Sequence, residues 1–509
     1  MARVPSVDIN EGRLHPPSRP PFAFVPVAGT AAVVTVALLA TVSRYGYHRD
    51  ELYFRVLGFH PSWGYVDQPP GTPLLVRASV AAFGDSVWGL RVPAILATVG
   101  VAVLLALVAR EVGAGRWGQG LAAVGAAGTF PLVFGHVLLT ATVDMVAWVL
   151  VLLFTMRALL RQEPRWWIAV GAVVGASLWF KLLIVLLLAV LLVGLLLAGP
   201  RAAVTSRWLW AGALLALALG SPMIAYQVAN DFPQLTMAQA LKENKGDEAR
   251  ILLVPFQLSL IGLPLVPVFV AGVVALVRRP ALRPVRALAL GYGILLVGMF
   301  LLAAQPYYSL GLFLAIYAVG AARAERWAVT MRRRVTLAAA VVVNVVAAVA
   351  FALPVFSTAT QGRLGITEIN QATRDQVGWI EYSRQVADVV TALPPQEAAS
   401  AVVVTNNYGE YGALHRYGPA LGLSTARLYS GHNELHRMGV PSANASVVVL
   451  VGFGDDGSNV REWFASCQIA DRLDHGLNVG NEEQGRPITV CRSPRERWSV
   501  LWPRFQHYD

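Results

Sequence analysis

The sequence predicts a polytopic α-helical membrane protein that ends in a small extracytoplasmic α/β domain. Three observations predict it. The 509 residues are 56% hydrophobic and only 14% charged, with a mean hydropathy of +0.54, whereas soluble chains carry about 25% charged residues. Apolar runs recur through the first 355 residues, at close to the roughly 20 residues that a bilayer crossing needs. The charge is also unevenly divided. Residues 1–355 hold 28 Lys+Arg against 14 Asp+Glu, and residues 356–509 hold 13 Arg against 16 acids, within a total of +11. The basic excess belongs to the membrane half, where it reads as orientation signal and lipid-headgroup contact. No basic stripe interleaved with aromatics marks a nucleic-acid surface, so no nucleic-acid partner is expected.

Residues 1–22 form a polar, Pro-rich tail, expected in the cytoplasm. The first apolar run has no small-residue cleavage site after it, so it reads as a retained span and not a signal peptide. Spans are expected near 23–42, 87–109, 117–135, 139–157, 166–180, 182–199, 208–226, 251–277, 287–304, 306–320 and 335–355. That is about eleven, within a range of 11–13. With the N-terminus inside, the inner loops carry Arg110 and Arg116; Arg157, Arg161 and Arg165; Arg201 and Arg207; Arg278 to Arg286; and Arg323 to Arg334. This is the positive-inside pattern. The outer connections hold Asp50, Glu51, Asp67, Asp85, Asp231, Glu243, Asp247 and Glu248. A membrane domain over 23–355, with a first outer loop at 43–86, follows. An odd number of spans puts residues 356–509 outside a cell membrane.

That last segment is soluble in character. Ala401 to Val404 and Val447 to Val451 are short β-branched runs, Pro487 to Val490 is a third strand candidate, and Asp375 to Val390 is compatible with a helix. A small α/β domain is the reading. Cys467 and Cys491 are the only cysteines. Outside the cell they would suit a disulfide; two buried thiols are the alternative, and the sequence leaves both open. No Cys/His cluster has zinc spacing.

Residues able to carry chemistry gather on the outer side. Asp50-Glu51 follows the first span. An acidic pair there suits a helix N-terminus, and it also suits a general base that takes a proton from an attacking hydroxyl. Asp67 opens Asp67-Gln68-Pro69-Pro70-Gly71-Thr72-Pro73, two residues after Tyr65; Pro near a first turn predicts a helix start, whose free N–H groups would suit a phosphate. Asp144 lies in an apolar span, where an ionisable residue is a functional candidate. Lys181 splits two apolar runs and is one of only three lysines, with Lys242 and Lys245, all on the outer side. It could hold a lipid phosphate or snorkel. Tyr307 and Tyr308 break two further spans and also fit interfacial anchors, as do Trp63 and Trp88. His48, His60 and His136 are scattered, and a divalent metal is left open. In the C-terminal part, Asn406 to Gly412 and Tyr429 to Asn433 follow strands, where turn chemistry and binding groups are equally served.

In order and side, these motifs resemble glycosyltransferase family 39 and its relatives, the protein O-mannosyltransferases and bacterial aminoarabinose transferases. The resemblance covers residues 20–320. It implies the GT-C membrane fold and an acidic pair, here Asp50-Glu51, of which the Asp is the catalytic base. It also implies that Asp67, Asp144 and Tyr65 serve acceptor or metal, and that Lys181, Gln68, Tyr307 and Tyr308 serve the donor phosphate. Position 68 is Gln where relatives often carry His or Lys. The sugar-binding repeats of eukaryotic protein mannosyltransferases have no counterpart. The expected function is inverting transfer of a hexose or pentose from a polyprenyl-phosphate donor to a lipid, glycan or protein acceptor of the cell envelope. The rival is a transporter or lipid flippase with a buried charge relay, which often shows internal repeats; none is seen. A structural or assembly protein is a third possibility.

Overall fold

The computed structural model describes residues 17, 19–454, 459–477 and 479–508; most of the expected tail at 1–22 lies outside them. Among the described residues up to 355, fifteen α-helices form: α1 (Phe24–Thr41), α2 (Arg49–Phe59), α3 (Gly71–Phe83), α4 (Val87–Glu111), α5 (Arg116–Ala123), α6 (Thr129–His136), α7 (Thr140–Leu160), α8 (Trp166–Ser177), α9 (Ile184–Ala198), α10 (Arg207–Ala229), α11 (Pro233–Ser259), α12 (Val266–Arg278), α13 (Ala287–Leu302), α14 (Leu310–Trp327) and α15 (Met331–Ala352). Among the described residues six helices are long and apolar enough to cross a membrane. A seventh results if α11 and α12, bent by 69° at their junction, count as one. The chain is a multi-pass membrane protein.

Five of the eleven expected runs do not form single long helices, the run 251–277 being the one divided by the α11–α12 bend. The 117–135 run breaks at Gly125 and Gly128 into α5, a 3₁₀ turn and α6. The runs at 166–180, 182–199 and 287–304 give helices of 12, 15 and 16 residues. At about 1.5 Å per residue these fall short of a hydrocarbon core of about 30 Å. Apolar composition alone does not register such breaks.

Two features of the bundle fix the site. α8 packs against α10 backbone to backbone: a Cβ at Gly171 or Gly212 would collide with the facing main chain, as small residues at membrane helix contacts allow. The loop at 43–86 is itself helical. α2 starts at the His48 cap, whose side chain accepts from Asp50 N–H at 3.1 Å while the Glu51 carboxylate accepts from His48 N–H at 2.8 Å. α3 starts just after Pro70, and the Gly71 N–H is taken by the Trp179 carbonyl at 2.7 Å.

Beyond α15 lies a five-stranded sheet: β1 (Val402–Thr405), β2 (Leu428–Ser430), β3 (Val447–Val451), β4 (Phe464–Arg472) and β5 (Pro487–Pro494), in the order β2-β1-β3-β5-β4. β2, β1 and β3 run parallel; β5 is antiparallel to β3 and β4. The central strands are buried on both faces, as parallel strands usually are. One face packs against Trp498, Leu501, Trp502 and Phe505. The other shares one apolar core with Leu52, Tyr53, Val56 and Leu57 of α2 and with the helices Trp379–Thr391 and Tyr408–Tyr417. Cys467 and Cys491 face each other in register on β4 and β5 and are joined as a disulfide.

Candidate functional site

The acidic pair divides in two. Glu51 is fully buried and saturated: Arg91 donates to both of its oxygens (2.9 and 2.8 Å), Leu138 N–H donates at 3.0 Å and His48 N–H at 2.8 Å. Arg91, equally buried, also donates to the carbonyls of Val42 (2.6 Å) and Gly46 (2.8 Å) and to Gln376 Oε1 (3.1 Å). Glu51 therefore ties α2 to α4, to the start of α7 and to the segment after α15; no face of it is open to a substrate. Asp50 is different. Its side chain is 30% exposed, and its Oδ1 accepts from the Tyr408 hydroxyl at 2.9 Å.

Around Asp50 the structure brings together residues far apart in sequence. The Asp50 and Asp144 carboxylates both lie near the Tyr307 side chain. Lys181 Nζ lies 4.4 Å from the Tyr308 ring centroid and 5.4 Å from that of Tyr307, within cation–π range, and its charge reaches Asp144. Among the described residues Lys181 has no hydrogen-bonded or ion-paired partner besides these rings. Asp144 is buried and accepts from Trp148 Nε1 at 3.1 Å. The break that presents the tyrosines is pinned by Gln257, whose Nε2 donates to the Pro306 carbonyl at 3.0 Å while its Oε1 accepts from Ser309 and Tyr292.

Asp67 completes the group. It accepts from Tyr53 Oη at 3.0 Å. Burial pushes its carboxyl up to about 7; its own backbone amide and Tyr53 act against this, and the neighbouring Glu434 and Asp50 charges add to it. Gln68 and Tyr65 turn elsewhere. Gln68 Nε2 contacts Asp67 Oδ2 at 3.4 Å, and its Oε1 is buried without a hydrogen bond. The Tyr65 hydroxyl donates to the carbonyls of Leu57 (3.0 Å) or His60 (3.1 Å), closing its own loop. Among the described residues no group of three or more His, Cys, Asp or Glu has metal-holding geometry.

The C-terminal domain supplies what the sequence reading left undecided. Tyr408 meets Asp50, and Glu434 accepts from Val66 N–H at 2.9 Å. Burial raises the Glu434 carboxyl. Arg49 pairs with Glu482 and with Glu483 (3.0 Å). Arg91 was missed outright. Its signal was present, since a charge inside an apolar span is costly and needs a partner.

The sequence model for dolichyl-phosphate-mannose-protein mannosyltransferases matches residues 67–226. The structure is similar to that of ArnT from Cupriavidus metallidurans. In the form bound to undecaprenyl phosphate the TM-score is 0.56 at 16% identity, and in the apo form 0.58 at 15%; each comparison covers 91% of this chain and 97% of ArnT. At such identities the likeness defines the fold. No curated protein sequence gives a match. Over residues 67–226 the sequence resembles that mannosyltransferase family, and over most of the chain the fold resembles that of ArnT, as the motif resemblance implies.

Proposed function

We propose that the protein is an inverting glycosyltransferase that moves a sugar from a polyprenyl phosphate to a hydroxyl acceptor at the outer face of the membrane. The observation that carries the reading is a half-buried carboxylate, Asp50, near the Tyr307–Tyr308 pair over whose rings the Lys181 ammonium lies. The description of the matching family names a dolichyl-phosphate sugar, and ArnT was crystallised with undecaprenyl phosphate; both fit a lipid-phosphate donor.

In the proposed step Asp50 takes the proton of the acceptor hydroxyl as its oxygen attacks the anomeric carbon. The bond from that carbon to the phosphate oxygen breaks on the opposite face, so configuration inverts. Polyprenyl phosphate leaves with the electron pair, and Lys181 balances its charge. Asp67 and Asp144 are placed to accept hydrogen bonds from sugar or acceptor hydroxyls; Glu51 acts as a positioning residue through Arg91. The basic loops and the Cys467–Cys491 disulfide support an extracytoplasmic C-terminal domain.

The test is purified protein with a panel of radiolabelled undecaprenyl-phosphate sugars and membrane-lipid acceptors. Transfer of label with release of undecaprenyl phosphate is expected. Movement of intact labelled lipid across vesicle bilayers, without release, would refute the reading.

A further inference from the structure

The Asp50 carboxylate is held from outside the membrane domain. Tyr408 stands at the first position of the helix Tyr408–Tyr417, and its hydroxyl is the only hydroxyl that donates to Asp50 among the described residues. We propose that Tyr408 is a positioning residue for sugar transfer, contributed by the C-terminal domain to a site otherwise built from the first outer loop and the spans. The inference rests on the assignment of Asp50 as the base.

The placement of Tyr408 is over-determined. Asn407 and Glu410 form a capping box, with Glu410 N–H donating to Asn407 at 2.9 Å and Asn407 N–H donating to Glu410 at 3.1 Å. The Tyr408 N–H donates to His432 Nδ1 at 3.1 Å. Its ring lies stacked between Tyr53 and His432, at centroid distances of 4.9 and 4.8 Å, with the Arg49 guanidinium 5.3 Å from the centroid. Two glycines let the helix approach α2: a Cβ on Gly412 would stand 2.7 Å from the Leu52 Cβ, and one on Gly409 would stand 3.1 Å from that of Arg49. These restraints converge on the direction of one phenol hydroxyl.

The consequence is selection between carboxylate oxygens. Tyr408 occupies Oδ1. The nearest cation candidate on the helix cap, His48 Nδ1, is 4.0 Å from the same oxygen and already accepts from the Asp50 N–H. Oδ2 is left to receive the acceptor proton. Without the phenol, a half-exposed carboxylate at a helix start is free to rotate, and fewer encounters present a correctly aimed lone pair.

Full-length Tyr408→Phe is compared with wild type and with Asp50→Asn, using the labelled undecaprenyl-phosphate sugar that the panel identifies. Phe retains the stack between Tyr53 and His432, so the melting temperature in detergent stays at the wild-type value. The expected result is a kcat lower by about tenfold, the size of one lost charge-assisted hydrogen bond, with the donor KM within about twofold of wild type. Wild-type kcat in Tyr408→Phe beside an inactive Asp50→Asn overturns this inference alone. A raised KM with unchanged kcat also overturns it, by assigning Tyr408 to binding. An active, folded Asp50→Asn overturns the base assignment and this inference with it.

Discussion

The two ends of the bundle each bury a glutamate against arginine, and they do so differently. At the Asp50 end, Glu51 and Arg91 are a one-to-one pair with neither side chain exposed. At the other end, Glu111 is also unexposed but is shared by Arg19, Arg157 and Arg161, which are 33%, 14% and 10% exposed. The first pair has no route to water, so its charges are satisfied only by protein. The second can lose one contact and still hydrate its arginines. The saturated Glu51 also stands next to a carboxylate that is not saturated. The difference between Glu51 and Asp50, adjacent in sequence, separates a charge that fixes geometry from one that, on the proposed function, is left to react.

The comparison is broken first at Asp50. Asp50→Asn is expected to lower transfer by about 10²–10⁴-fold, the contribution of a positioned general base, with the protein still monodisperse and its melting temperature retained. Radiolabel transfer with and without the substitution measures it. Next is Arg91→Met. It strands Glu51 in a site without water, and a broken buried pair costs about 3–5 kcal/mol, seen as a lowered melting temperature and poor recovery from detergent. The double variant Arg91→Met, Glu51→Gln should regain part of that loss, because no buried charge is then left unpaired. Equal damage in single and double variants would show that packing, not charge, is what Arg91 supplies.

Much of this arrangement is legible in the sequence, and the part that is not has physical causes. The apolar runs, the acidic pair, the helix start after Pro70 and the solitary Lys181 each express a local rule: span length, capping, ring geometry and charge cost. Three strands were visible as β-branched runs. β2 is only three residues long and β4 is a largely exposed edge, so neither carries the apolar signature of a buried strand. The contact between Tyr408 and Asp50 spans 358 positions. It depends on how the sheet domain docks on α2, which no local pattern encodes. Glu51 was grouped with Asp50 as catalytic because burial, the property that distinguishes them, is tertiary. The eleven runs likewise did not reveal which would break, because Gly125, Gly128 and the α11–α12 bend act through packing.

At the other end, Glu111→Gln should cost less than Arg91→Met, about 1–3 kcal/mol, because its partners reach solvent. Arg19 would lose its bidentate hold on the Glu111 carboxylate, and limited proteolysis near the N-terminus should quicken while transfer is unchanged. A loss equal to that of Arg91→Met would erase the distinction between the two ends. Lys181→Ala tests the unsaturated cation. About a tenfold rise in donor KM is expected, with folding intact, since its direct contacts are two rings and it makes no ion pair among the described residues.

A last effect lies in the sheet domain, where a third buried glutamate has, among the described residues, no arginine bound directly to it. Burial, reinforced by Glu483, pushes the Glu410 carboxyl up to about 8, while the amides of Asn407 and Asn406 and the charge of Arg49 pull the other way. The ordinary value is near 4.5, so between those limits the folded state holds a proton that the unfolded chain has released. Stability must therefore fall as pH rises from about 4 to about 8. Glu410→Gln keeps an acceptor for both backbone amides and cannot ionise. Its melting temperature should match wild type below about pH 4 and exceed it at about pH 8.5. Parallel melting curves at the two pH values would mean that Glu410 is ionised in the fold and that Arg49 serves it as Arg91 serves Glu51.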